Sequence, residues 1–110
     1  MQKLKKLFIC QPIYGLTEED VYDVRMTILD VMSGGEDIKD LFEPLYTYKY
    51  PEMTENNGYL WHIGRQIQDL EKADLVVFAP GWRNCKECLA VFDICNLYNV
   101  DYIDFAEEYL

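Results

Sequence analysis

The chain has 110 residues, half of them hydrophobic, which is enough for one hydrophobic core and too little for two. We therefore predict a single domain over residues 1–110. Ten basic and twenty acidic residues give a net charge of -10. A surface of this sign repels phosphate backbones and anionic membranes, so neither nucleic acid nor a membrane is an expected partner.

The predicted elements alternate between strands and helices along the chain. The apolar pattern predicts strands at Leu4–Ile13, at Asp74–Ala79 and at Asp101–Phe105, with a weaker candidate at Asp40–Leu45. It predicts helices from Thr17 to Gly34-Gly35, over Tyr59–Lys72 and over Asn84–Leu97, a long loop over 47–58, and a helical turn in the tail Ala106–Leu110. This alternation predicts an α/β fold with four or five mostly parallel strands, and with helices on both faces of the sheet.

Cysteine usage and the lengths of the apolar runs indicate a cytoplasmic protein. The four cysteines stand at positions 10, 85, 88 and 95, and we expect reduced thiols. The N-terminal apolar run, Leu7–Cys10, is too short for the core of a secretory signal. No apolar run approaches the roughly 18 residues that a membrane span needs.

The segment Ala73–Cys95 holds the most informative junction of the chain, where the turn Pro80-Gly81-Trp82 joins a buried strand to a helix. Asn84 stands at the predicted N-cap of that helix. In an open parallel sheet, such a junction lies at the carboxyl end of a strand, where these folds bind ligands. We therefore expect the functional site here.

Two segments carry a resemblance to a known family. One is LFICQPIYGL, residues 7–16, and the other runs from Trp61 through Asp74 to GWRNC, residues 81–85. Over nearly its whole length the chain resembles the nucleoside 2-deoxyribosyltransferase-like superfamily, in particular its short uncharacterised branch. The matching residues are Pro12, Gly15, Leu16, Trp61, Ile67, Leu70, Asp74, Gly81 and Trp82. The resemblance implies a flavodoxin-like or Rossmann-like domain that binds a nucleoside or nucleotide, and active members cleave the base–deoxyribose bond through a Glu nucleophile.

The chain differs from the family pattern at the positions that carry the glycosyl-transfer reaction. The family's Glu corresponds to Val91 and an Asp corresponds to Gln66, while Gln11, Cys85 and Glu87 replace Gly, Ser and Gly. Retaining glycosyl transfer needs a carboxylate at the anomeric carbon, and valine supplies none. Glu87 precedes Val91 by one helical turn on the same face, so it is the candidate replacement nucleophile. Gln66 would hold a sugar hydroxyl or that carboxylate.

The candidate ligand-binding residues come from the two loops and from the start of the second long helix. They are Pro12, Tyr14, Gly15, Trp61, Gly81, Trp82, Arg83, Asn84, Cys85 and Lys86. Arg83 and Lys86 flank a predicted helix N-terminus, which favours a phosphate. The alternative is that both are solvated surface charges.

Aromatic side chains are frequent in the first turn and in the long loop. Tyr14, Tyr46, Tyr48, Tyr50 and Trp61 are candidates to stack on a base. The alternative is a subunit interface, where Tyr and Trp are enriched. The resemblance implies a homo-oligomer, because relatives complete their sites across subunits.

Two other functions fit parts of the sequence. One is a non-catalytic nucleotide sensor or sponge, or another interaction module. Such a protein would need a ligand-binding site but no nucleophile. Cys85-Lys86-Glu87-Cys88 at a helix start would suit a redox dithiol, although Cys88 and Cys95 also fit as core thiols. We predict no metal and no cofactor, because Cys10 and His62 complete no common zinc spacing with this pair. The lone His62 is a surface or capping residue, or else it contacts a ligand.

Overall fold

A computed structural model describes residues 4–13, 15–45 and 59–110. The stacking candidates Tyr14, Tyr46, Tyr48 and Tyr50 lie outside the described residues. Strands and helices alternate as predicted. In chain order the elements are β1 (Lys5–Cys10), α1 (Glu18–Ser33), α2 (Ile38–Leu41), β2 (Phe42–Leu45), α3 (Tyr59–Leu70), β3 (Leu75–Phe78), α4 (Lys86–Leu97), β4 (Tyr102–Asp104) and α5 (Phe105–Tyr109).

The four described strands form one parallel sheet in the order β2-β1-β3-β4. Ile9 of β1 pairs with Val77 of β3, so the two central strands are neighbours in space although three helices and β2 separate them in the chain. This order is that of the first four strands of flavodoxin-like, doubly wound sheets. The predicted α/β fold is confirmed.

Successive side chains of the central strands point to opposite faces, and each face is covered by helices. One face joins Leu7, Ile9 and Val77 to Ile28 and Leu29 of α1 and to Phe105 of α5. The other joins Phe8, Cys10, Val76 and Phe78 to Leu70 of α3 and to Cys88, Val91 and Cys95 of α4. Burying each large apolar side chain contributes about 1.5–3 kcal/mol, so this double-sided packing stabilises the sheet.

Local sequence signals fix the two ends of α1. The Thr17 hydroxyl accepts a hydrogen bond from the Asp20 N–H at 3.1 Å, and the Asp20 carboxylate accepts one from the Thr17 N–H at 3.4 Å. Gly34 ends the helix in the left-handed conformation, with φ 61°. The predicted strand Asp40–Leu45 is partly wrong, because the Asp37 carboxylate caps the short helix α2 and the strand starts only at Phe42.

Among the described residues, no helix has the length and apolar character needed to cross a membrane.

Candidate functional site

The candidate site lies where the two central strands end. After β1 the chain passes to α1 on one face of the sheet, and after β3 it passes to α4 on the other face. Such a change of direction between neighbouring parallel strands is where open α/β sheets bind ligands. The Ala79 N–H donates to the Cys10 carbonyl at 2.9 Å, which holds the two departing loops side by side.

A crevice of about 620 Å³ opens between these loops and the start of α3. Small-molecule sites typically have volumes of about 300–1,000 Å³, so the crevice accommodates a ligand of nucleoside size. The described residues that line it are Pro12, Ile13, Leu60, Ile63, Asn84, Cys85, Lys86 and Glu87. Four of the predicted ligand-binding residues, Pro12, Asn84, Cys85 and Lys86, are therefore brought together, and so is the candidate nucleophile Glu87.

A short 3₁₀ turn, Trp82–Asn84, separates β3 from α4. Gly81 enters this turn with φ 87°, a left-handed conformation that only glycine adopts readily. The Asn84 N–H then donates to the Gly81 carbonyl at 3.1 Å and the Cys85 N–H donates to the Trp82 carbonyl at 3.1 Å. The prediction that Asn84 caps the helix is wrong, because these bonds delay the helix and leave Cys85 at the N-cap.

The first turn of α4 forms part of the crevice wall. Cys85, Lys86 and Glu87 all line the crevice. Within the described part of the chain, the Cys85 side chain makes no capping hydrogen bond to the helix. The first N–H groups of a helix lack partners inside the helix, and those of α4 lie at the end of the helix that borders the crevice.

Trp82 lies beneath the turn and does not line the crevice. Its ring packs against Phe78 and Phe92, with centroid distances of 4.9 and 4.7 Å. Its indole N–H donates to the Asp104 carboxylate at 3.0 Å. The structure thus places Trp82 as a support of the loop rather than as a surface for a base.

Arg83 points away from the crevice, toward the start of α5. Its guanidinium lies 4.8 Å from the centre of the Trp82 ring and pairs with Asp104 at 3.3 Å and with Glu107 at 3.9 Å. Lys86 does line the crevice. The two cations predicted to flank one phosphate site are therefore on different surfaces.

Glu87 supplies a carboxylate to the crevice, whereas Val91, the position at which the resemblance would place a nucleophile, does not line it. Val91 is fully buried between α4 and the sheet, in the cluster that includes Phe8 and Phe78. The Glu87 carboxylate accepts a hydrogen bond from the Cys85 thiol at 3.2 Å. This contact orients Glu87 along the wall of the crevice.

Gln66 lies in the interior, outside the lining of the crevice. It borders a separate cavity of about 20 Å³ that Gln11, Arg25 and Leu45 also line, and the Cys10 thiol lies 3.9 Å from its side-chain oxygen. A cavity of this size holds about one water molecule. The structure does not bring Gln66 and Glu87 together in one cavity.

The remaining predicted residues lie around the crevice rather than in it. Gly15 turns the chain after β1, with φ 82°. Trp61 is half-exposed on α3 and has Arg65 above its ring at 5.4 Å. His62 is fully buried, so the expectation of a surface residue is wrong.

Sequence reasoning missed the apolar wall of the crevice. Ile13, Leu60 and Ile63 line it together with Pro12. On α3 the amphipathic pattern places Leu60 and Ile63 with the core positions, yet Leu60 is 82% exposed. Leu60 belongs to the apolar stripe of α3 but lies in the first turn of that helix. This position was the available signal that Leu60 contacts a site outside the core.

The thiols of the Cys-x-x-Cys segment have the properties of packed side chains. Hydrogen bonding to Cys88, and then burial, raise the pKa of the Cys85 thiol. Hydrogen bonding to Cys10 raises the pKa of the Cys88 thiol. Reactive dithiols need a lowered pKa, so these environments do not favour redox chemistry. Cys88 and Cys95 are buried in the core, as the alternative interpretation predicted.

Comparisons with known proteins give no relative from which to transfer a function. No protein-family model matches the chain, and neither a curated protein nor a solved structure matches it.

Proposed function

We propose that this chain binds a nucleoside or nucleotide in the crevice between the β1 and β3 loops. The observation that carries the proposal is a crevice of about 620 Å³ at the switch point of the sheet, with the uncapped first turn of α4 in its wall. The resemblance supplies the ligand class, and the volume suits a base and a sugar.

The two walls of the crevice suit the two halves of such a ligand. Pro12, Ile13, Leu60 and Ile63 form an apolar wall, which fits the faces of a base. Asn84, Cys85, Lys86 and Glu87 form a polar wall, which fits sugar hydroxyls. An apolar surface with a few placed polar groups is the usual composition of a small-molecule site.

A binding experiment with two matched variants tests this proposal. Isothermal titration with adenosine, 2'-deoxyadenosine, thymidine and their 5'-monophosphates should give saturable binding of at least one compound. Leu60→Asp places a charge in the apolar wall and should weaken that binding by at least about tenfold. Leu97→Asp makes the same change at a similarly exposed leucine, 73% against 82%, outside the crevice, and should leave binding unchanged. Absence of binding, or equal losses in both variants, would refute the proposal.

Cleavage of the base–sugar bond in this crevice would depend on Glu87. Its carboxylate would attack the anomeric carbon, the base would leave with the electrons of the broken bond and take up a proton, and water would then hydrolyse the glycosyl ester. Free base measured by chromatography, and its loss in Glu87→Ala, would establish this reaction. Ligand returned unchanged would instead establish a non-catalytic sensor or sponge.

A further inference from the structure

We infer that a cavity at the C-terminal end of α4 is a ligand site separate from the crevice, and that it binds a small organic cation with N–H donors, of the primary alkylammonium class. The cavity has a volume of about 310 Å³, and the described residues that line it are Cys95, Asn96, Asn99, Val100, Asp101 and Tyr102. The crevice borders the start of α4, and the 12 residues of this helix place its two ends about 18 Å apart. The inference therefore does not depend on the proposed function.

The reversal of the chain between α4 and β4 forms the cavity. Asn99 adopts a left-handed conformation with φ 57°, and the Val100 N–H donates back to the Cys95 carbonyl at 2.9 Å. A left-handed residue followed by such a bond is a common way to end a helix. On the other side, the Val76 N–H of β3 donates to the Asp101 carbonyl at 3.0 Å. Backbone hydrogen bonds to the helix and to the sheet therefore hold the cavity in shape.

The charge of the cavity is the first argument for a cation. Of the described residues that line it, only Asp101 is charged, and within the described part of the chain Asp101 forms no ion pair. The last turn of α4, all of which is described, contains no basic residue, so no side chain of that turn offsets the negative end of the helix dipole. The cavity therefore attracts a cation and repels an anion, and the net charge of -10 strengthens both effects.

The acceptor atoms of the lining are the second argument. The Tyr102 hydroxyl donates to Asn96 Oδ1 at 3.1 Å, and the Asn96 side-chain N–H donates to the Phe92 carbonyl at 3.0 Å. The first bond uses the only proton of the hydroxyl, and the two bonds together orient the Asn96 amide. The hydroxyl oxygen and the amide oxygen both retain acceptor capacity. With the Asp101 carboxylate they form a set of acceptors that suits the three N–H donors of an ammonium group.

The same oxygen atoms are too few for a metal ion. Among the described residues, no group of three or more His, Cys, Asp or Glu side chains could hold one. Ca²⁺ takes about six to eight oxygen ligands, usually with several carboxylates, whereas this cavity has a single carboxylate. One carboxylate beside neutral oxygen atoms matches a singly charged organic cation instead.

Backbone amide shifts, followed by NMR during a titration with butylammonium chloride, test the inference. We expect saturable shifts at Asn99 and Asp101, and weaker binding at high salt because Asp101 is exposed. Two probes of similar size serve as controls. 1-Butanol lacks the charge, and tetramethylammonium, an isomer of butylammonium, lacks the N–H donors, so both should bind at least about fivefold more weakly.

Matched variants test which residues recognise the cation. Asp101→Asn keeps the shape and removes the charge, so it should weaken butylammonium binding at least about fivefold. Tyr102→Phe removes one acceptor and the bond that orients Asn96, so it should weaken binding about twofold or more. Asp93→Asn is the control, because Asp93 is an exposed carboxylate of α4 outside the cavity lining, and it should leave binding unchanged.

Four results would overturn the inference. Butylammonium could give no saturable shifts at these amides, or 1-butanol or tetramethylammonium could bind as tightly as butylammonium does. Asp93→Asn could lose as much affinity as Asp101→Asn, which would indicate attraction to the whole molecule. Calcium chloride could shift the same amides at lower concentrations, which would assign the cavity to a metal ion. If Asp101→Asn does not fold by circular dichroism, Tyr102→Phe and the three organic probes still decide.

Discussion

At the scale of single residues, Asp104 holds the candidate site in place without lining it. One oxygen of its carboxylate accepts from the Trp82 indole at 3.0 Å and pairs with Arg83 at 3.3 Å. The other accepts from the Ala106 N–H at 3.1 Å and caps α5. The turn that carries the polar wall of the crevice is therefore fixed from β4.

Replacing Asp104 should destabilise the protein, and the size of the loss should depend on how many of its hydrogen bonds the new side chain can still accept. Asp104→Ala leaves the Trp82 N–H without its partner and removes a helix cap, so we expect a loss of about 2–3 kcal/mol in the free energy of unfolding. Asp104→Asn keeps a single acceptor oxygen, which can either cap α5 or accept from the Trp82 N–H but cannot do both, so it should recover only part of that loss. Urea unfolding measures both. Glu107→Ala, which removes only the exposed partner of Arg83 at 3.9 Å, should change stability by less than about 0.5 kcal/mol. An equally large effect of Glu107→Ala would contradict the central role of Asp104.

At the scale of elements, α4 faces both the crevice and the core. Its first turn carries Lys86 and Glu87 in the crevice wall, while Cys88, Val91 and Cys95 pack on the sheet. Val91, where the resemblance would place a catalytic carboxylate, lies on the core face. Glu87 and Val91 are one turn apart, yet only the first is at the end of the helix where the ligand would lie.

Introducing a carboxylate at position 91, as the resemblance would suggest, should therefore damage the fold and should not supply a nucleophile. Val91→Glu places a charge at a fully buried site, and we expect a loss of about 3 kcal/mol or more in stability. Leu89→Glu makes the same kind of change at a position that is 39% exposed, and should cost less than about 1 kcal/mol. Thermal and urea unfolding measure both variants. A stable Val91→Glu protein that releases free base would contradict this placement of α4.

At the scale of the whole molecule, buried thiols link stability to alkaline pH. Burial raises the pKa of Cys95 from its ordinary value of 9.0 to about 11. Hydrogen bonding raises the pKa values of Cys85 and Cys88 as well. Above the ordinary value the unfolded chain loses these protons while the folded chain keeps them, so the unfolded state binds fewer protons and stability falls as pH rises.

We expect stability to be independent of these thiols below about pH 8, and Cys95 alone to reduce it by about 1.4 kcal/mol for each pH unit between about 9 and 11. Urea unfolding in reducing buffer at pH 8, 9 and 10 measures the slope. Cys95→Ala lowers stability throughout by leaving a small cavity, but its profile should be flatter than that of the wild-type chain. If the wild-type chain and Cys95→Ala give parallel profiles of stability against pH, Cys95 does not contribute to the pH dependence.

The fold could be predicted from local patterns, whereas the site could be predicted only in part. The Thr17–Asp20 cap and the alternating strand residues are signals within a few positions of the chain. The direction of Arg83 depends on Asp104, more than twenty positions later, and so no local pattern reveals it. Gly81 lets the chain form a 3₁₀ turn before the helix, which moves the N-cap from Asn84 to Cys85. The homo-oligomer that the resemblance implies stays a prediction.

The central claim is that the switch-point crevice binds the ligand, and amide chemical shifts measured by NMR test it most directly. Adding 2'-deoxyadenosine should shift the amides of Ile13, Asn84 and Glu87 together, at both loops. Another cavity, of about 310 Å³, lies at the other end of α4, beside Asn96 and Asn99. Shifts confined to that cavity, or no shifts at a millimolar nucleoside concentration, would contradict the account.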